Sequence, residues 1–174
     1  SWLSMPFGTP FFICFFYIIL FEMAKPLKSM TVSHFRRIMP SETLHFSLKM
    51  EVRDYELDRF GVINNAVYQN YLEHTRHQFL ESQGLKLTAY FEQGLSPVIT
   101  KAEIEYRSSL QSRDDFIVSL ELALLSKVKF IFLQEIRSIP NKTLILSARI
   151  TGTILNSSGR PFLPAAFQNL RTLL

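Results

Sequence analysis

Residues 58–68 read Asp58-Arg59-Phe60-Gly61-Val62-Ile63-Asn64-Asn65-Ala66-Val67-Tyr68. An acid stands three residues before a glycine, two asparagines follow, and a helical pattern then begins. Asparagine is a favoured N-cap, so Asn64 or Asn65 is expected to start that helix. Tyr68, Tyr71, Leu72, Thr75 and Phe79 fall on one face at i, i+3, i+4, i+7 and i+11. The spacing predicts a helix over 65–83, closed near Gly84, a common residue just past a helix end.

Strand patterns flank this helix on both sides. Before it, Phe46, Leu48, Met50 and Val52 alternate with Ser47, Lys49 and Glu51, the signature of a half-buried strand, and 53–63 reads as a loop. After it come a short helix around Thr88–Gln93 and four more strands, Val98–Tyr106, Phe116–Leu125, Val128–Arg137 and Leu144–Leu155. Turn residues separate the later strands at Arg113-Asp114-Asp115, Ser126-Lys127 and Pro140-Asn141. The order β-α-β-β-β-β with short links predicts an α+β fold, an antiparallel sheet on one central helix. It does not suit a parallel, doubly wound sheet.

The chemistry follows from the same opening stretch. A helix N-terminus presents unpaired N–H groups and a partial positive charge, which attract a developing negative charge. A carboxylate next to it completes a minimal kit for acyl transfer, with Asp58 as nucleophile or general base and backbone N–H groups as oxyanion donors. On spacing alone these residues suit an ordinary turn better.

The longer segment from Glu51 through Asp54-Tyr55-Glu56-Leu57-Asp58 and on to Tyr71-Leu72-Glu73-His74-Thr75-Arg76 and Glu81 resembles the 4-hydroxybenzoyl-CoA-thioesterase-like hotdog enzymes. Within them it is most similar to the plant acyl-acyl-carrier-protein thioesterases related to methylketone synthase 2. The resemblance runs from about Thr43 to the C-terminus. It implies a hotdog fold and hydrolysis of fatty acyl or β-ketoacyl thioesters of acyl carrier protein to free acids. Two alternatives stay open: an acyl-CoA thioesterase of the same fold, and an acyl-thioester-binding hotdog without turnover. The resemblance places Asp58 as the catalytic carboxylate. It puts Gly61, Asn64, Asn65, Ala66 and Tyr68 at the oxyanion and substrate side, and Glu73 as a secondary candidate. It implies an acyl chain near Tyr71 and Phe79, a homodimer or homotetramer, a plastid location and no cofactor.

Each candidate also has a plainer role. Gly61 suits a turn, Asn65 a cap, and Tyr68 the core. Glu73 stands three residues from Arg76, at ion-pair spacing. Asp54 and Glu56 read as solvated loop charges. His74 and His77 lack a carboxylate at ligand spacing, so no metal site is expected. There is no G-x-S-x-G elbow for an α/β-hydrolase serine and no glycine-rich nucleotide loop.

A composition of 47% hydrophobic and 20% charged residues is sufficient to bury a core, which sets aside a disordered chain. Cys14 is alone, so there is no internal disulfide framework. Charge is unevenly distributed. Residues 127–174 hold Lys127, Lys129, Arg137, Lys142, Arg149, Arg160 and Arg171 against Glu135 alone, a balance that would suit an acidic partner or simply solvated strand faces. No basic run interleaved with aromatics points to nucleic acid. Phe11–Phe21 is an unbroken apolar run, about 16 Å long as a helix, too short for a bilayer core of ~30 Å. From Met23 to Ser41 there are four basic residues and no acid, as in organelle transit peptides. Residues 1–41 therefore read as a targeting-like segment or a faulty start, and 42–174 as the thioesterase domain.

Overall fold

In a computed structural model, residues 44–169 are described, and the expectations for residues 1–41 lie outside them. Period-two alternation forms β1, Leu44–Glu51, with Phe46, Leu48 and Met50 turned inward and His45, Ser47 and Lys49 exposed. After a loop comes α1, Asn65–Ser82, then α2, Leu87–Glu92. Four long strands follow: β2, Ser96–Tyr106; β3, Asp115–Ser126; β4, Lys129–Ser138; and β5, Leu144–Leu155. A two-residue β6, Pro161–Phe162, and a short α3, Ala165–Asn169, complete the described chain. Neither was expected, because segments this short carry no readable period. Phe167 of α3 is nonetheless buried, stacked on Phe130 at 5.4 Å and edge-on to Tyr90 at 6.1 Å.

All strand pairs are antiparallel, in the order β1-β3-β4-β5-β2, with β6 on the end of β5. The α1–α2 segment carries the chain between the two edge strands, so β2 lies beside β5 rather than near β1. This is the α+β hotdog arrangement that the element order predicted. The expected helix stripe is the buried one: Tyr68, Tyr71, Leu72, Thr75 and Phe79, with Leu80 added. It shares one core with Phe116, Val118, Leu120 and Leu122 of β3. Phe79 meets Phe46 of β1 at 5.9 Å and Phe132 of β4 at 6.3 Å, and Tyr71 meets Phe116 at 4.7 Å. Each such side chain contributes about 1.5–3 kcal/mol through burial.

Helix α1 ends where the glycine predicts. Gly84 takes φ +73°, Gly84 N–H donates to Glu81 O at 2.9 Å, and Leu85 N–H donates to Leu80 O at 2.9 Å. This pair of bonds satisfies the last helical carbonyls and needs a left-handed residue, which glycine adopts without strain. Among the described residues no helix is long and apolar enough to cross a membrane.

Candidate active site

The loop between β1 and α1 is pinned before it reaches Asp58. Val52 N–H donates to Asp114 O and Arg113 N–H donates back to Val52 O, both at 3.0 Å. A single 3₁₀ turn, Asp54–Glu56, follows. Asp54 behaves as expected: it is mostly exposed, 3.8 Å from Arg113, and accepts from the Ser112 hydroxyl.

Glu56 overturns the expectation of a solvated charge. It is buried, 7% exposed. Its carboxylate accepts from Arg53 N–H at 2.7 Å, from Arg53 Nη1 at 3.2 Å and from the Tyr71 hydroxyl at 2.6 Å. Burying a carboxylate is costly unless its oxygens are fully hydrogen-bonded, and these three donors supply that. Burial, reinforced by this bond to Glu56, pushes the Tyr71 phenol far up, so it remains a donor across the physiological range.

Asp58 lies in a tight loop, half-buried, with its base closed by a bridge between Leu57 and Ile63. Its N–H donates to Val62 O at 2.8 Å, and its carbonyl accepts from Gly61 N–H at 3.1 Å. Oδ1 accepts from Phe60 N–H at 2.7 Å, an Asx turn, and among the described residues Oδ2 takes no hydrogen bond. Gly61 sits at φ +74°, the left-handed turn conformation, and is exposed.

Asn64 is the N-cap. Its Oδ1 accepts from Ala66 N–H at 3.0 Å, and its carbonyl accepts from Val67 N–H at 3.0 Å. Asn64 N–H itself donates to Glu56 O at 3.0 Å. The N–H groups of Asn64 and Ala66, two of the residues the resemblance puts on the oxyanion side, are thus already engaged. Asn65 N–H, at an exposed residue, has no partner among the described residues. The Asn65 carbonyl accepts from the Tyr106 hydroxyl at 3.3 Å, and Tyr106 is half exposed beside it. Sequence reasoning missed Tyr106, which simply ends a strand pattern.

The other candidates are placed as follows. Tyr68 is buried, edge-on to Tyr71 and Tyr106, and its hydroxyl accepts from Leu110 N–H at 3.1 Å; burial pushes its phenol up. Glu73 is exposed and faces His77 at 4.0 Å. The expected Glu73–Arg76 pair is replaced by another contact. Arg76 turns inward and donates to Gln134 Oε1 at 3.0 Å, while Gln134 Nε2 donates to Leu72 O at 3.0 Å. Gln134 is 1% exposed, and a buried amide without partners would be costly, which draws Arg76 to it. Burial lowers the Arg76 pKa and the nearby Glu73 charge opposes that shift. A cleft of about 640 Å³ lies beside the loop, lined by Met50, Val52, Arg53, Tyr55 and Tyr71 among others; Asp58 does not line it. Phe79, expected beside an acyl chain, is packed within the core.

The arrangement offers a carboxylate with one uncommitted oxygen, held just before a helix whose first N–H is free. A group of this kind can take a proton from water or attack an acyl carbon, and the N–H can receive the developing oxyanion.

Residues 52–169 match the thioesterase-like superfamily. Over 114 residues the chain is 39% identical to an Arabidopsis thaliana protein named acyl-acyl carrier protein thioesterase ATL2, chloroplastic, covering 66% of this chain and 61% of the relative. The chain thus spans about three fifths of that relative's length. Among solved structures, a 1,4-dihydroxy-2-naphthoyl-CoA thioesterase from Synechocystis superposes with a TM-score of 0.71 at 19% identity, over 75% of this chain and 97% of that one. A protein from Aquifex aeolicus superposes with a TM-score of 0.66 at 26% identity, over 72% and 98%.

Proposed function

Because the chain belongs to the thioesterase-like superfamily, we propose that it hydrolyses fatty acyl thioesters, β-ketoacyl ones included, carried on acyl carrier protein. The observation that carries this reading is Asp58, with Oδ2 uncommitted, in a closed loop directly before the free Asn65 N–H. Asp58 activates water or attacks the thioester carbon, and Asn65 N–H receives the oxyanion. The relative's name supports the carrier-protein substrate. Steady-state hydrolysis of acyl-carrier-protein and acyl-CoA substrates of matched chain length tests it. Turnover of acyl-CoA alone moves the reading to a CoA thioesterase. Binding without turnover of either moves it to a carrier of acyl thioesters.

Charge offers a separate test of the carrier protein. Lys127 lies in the β3–β4 turn, Lys129 follows it and Arg160 lies in the β5–β6 turn; all three are exposed, with no ion pair among the described residues. Thr153 Oγ1 donates to Val128 O at 2.6 Å, so both turns meet at one end of the sheet, opposite the Asp114–Asp115 end where the Asp58 loop is pinned. Rim charges act mainly on encounter rate and salt dependence. Reversing Lys127 and Lys129 to Glu is expected to raise KM for the acyl-carrier-protein substrate by about tenfold at low salt and leave KM for acyl-CoA nearly unchanged. Equal effects on both substrates would remove the carrier-specific role.

The same reading makes the protein a homodimer or homotetramer, with the site completed by a second copy. The half-exposed Ile99 and Tyr106 of the edge strand β2 support this. Sedimentation of a monomer at assay concentration would overturn it. It also places the protein in the plastid, as the chloroplastic relative suggests; absence of the protein from purified plastids would overturn that location.

A further inference from the structure

We propose that Glu56 is a positioning residue that holds the Asp58 loop in register with the N-terminus of α1. The inference rests on the thioesterase reading for what is positioned, and on geometry for how. Glu56 makes two attachments at once. Its carboxylate receives the Tyr71 hydroxyl at 2.6 Å, and its own carbonyl receives Asn64 N–H at 3.0 Å. Tyr71 lies six residues past Asn65, about 9 Å along the helix axis at ~1.5 Å per residue. One residue therefore grips α1 both at its cap and within its body.

The grip is firm at the far end. The Tyr71 ring is wedged against Phe116 at 4.7 Å and Tyr68 at 6.3 Å, so its hydroxyl is fixed by the core. At the near end, Asn64 caps Ala66 and leaves Asn65 N–H free. Asp58 falls in the chain between these attachments, two residues after Glu56 and six before Asn64. The short Leu57–Ile63 bridge closes its loop, so the loop moves as a unit with whatever holds its base. Arg53 adds two donors to Glu56 but sits largely exposed, so the bond to Tyr71 is the one that reaches the core.

A carboxylate is the group this position needs. Three donors converge on it: the Arg53 N–H, the Arg53 guanidinium and the Tyr71 hydroxyl. An amide with its oxygen at the Oε2 position would keep Arg53 N–H and the Tyr71 hydroxyl and lose only the Arg53 guanidinium, so freeing Tyr71 takes a side chain with no acceptor. Misplacing reacting groups by about 1 Å can cost on the order of 10² in rate, so a loosened loop lowers kcat while distant substrate contacts persist.

The test compares the full-length protein with Glu56→Leu, Tyr71→Phe and the double variant. Expected are a fall in kcat of about tenfold or more for each single variant and a KM within about threefold of wild type. The double variant should lose little beyond the worse single variant, because both remove one attachment. Amide hydrogen exchange should accelerate across 57–67 and not across β3–β4. Tyr71→Phe deletes only a hydroxyl, so it serves if Glu56→Leu does not fold. A folded variant with unchanged kcat and unchanged exchange, or one altered only in KM, overturns the proposal. Wild-type protein inert toward every thioester, with exchange still accelerated in the variants, overturns the thioesterase reading and leaves the positioning role intact.

Discussion

Asp58→Asn is expected to lower kcat by about 10²–10⁴-fold with the fold intact, the range typical of losing a general base. The substitution is nearly isosteric. The amide oxygen can still accept from Phe60 N–H, so the Asx turn that shapes the loop survives. What disappears is the negative charge, which base and nucleophile both require. Affinity for a non-hydrolysable thioether analogue should change little, because the proposed oxyanion donor is the Asn65 backbone. Glu73→Gln is the control. Glu73 is exposed and its His77 contact is 4.0 Å long, so the pair contributes at most about 0.3–0.5 kcal/mol and kcat should stay near wild type. The measurement is kcat for both variants on one acyl thioester, with circular dichroism as the check on folding. A folded Asp58→Asn protein at wild-type rate, or an inactive Glu73→Gln beside it, moves the catalytic carboxylate from the loop to the helix.

Phe79→Ala is expected to destabilise the protein by about 3–5 kcal/mol, the usual cost of deleting a fully buried aromatic ring. Phe79 is 1% exposed and joins three elements, with Phe46 of β1 on one side and Phe132 of β4 on the other. The cavity left by its ring would be bordered by other aromatic side chains, which relax poorly into a void. Urea unfolding should show a lower midpoint at unchanged slope. A loss below about 1 kcal/mol would mean that the helix does not seat on the sheet through this residue.

Much of this fold is legible because its signals are local. The alternation of Phe46, Leu48 and Met50 and the stripe from Tyr68 to Phe79 need only near neighbours to be read. The placement of β2 beside β5 is not local: nothing within Ser96–Tyr106 says which edge it joins. The site divides in the same way. Asp58, Gly61 and the asparagines stand out as turn and cap chemistry. Which asparagine caps decides which N–H is consumed, and both readings fit the sequence until Asn64 Oδ1 is seen on Ala66. Glu56 reads as a solvated charge because its burial depends on a hydroxyl fifteen residues away. Arg76 reads as a partner of Glu73 because its actual partner, Gln134, lies on β4, far along the chain.

The strand order has a kinetic consequence. β3, β4 and β5 are consecutive neighbours, and the β3–β4 turn spans only two residues between Ser126 and Lys129. These contacts close small loops. β1 pairs with β3 only after more than sixty intervening residues separate Glu51 from Asp115, and β2 must find β5 past both β3 and β4. Each doubling of loop length adds about 0.6 kcal/mol of closure entropy, and contacts distant in sequence slow folding. The β3–β5 meander is therefore the inexpensive nucleus, and the edges with α1 between them condense onto it. The loop bearing Asp58 and Glu56 joins one of these edges to that helix, so the chemistry depends on the strand pairing that spans the most sequence, β1 with β3.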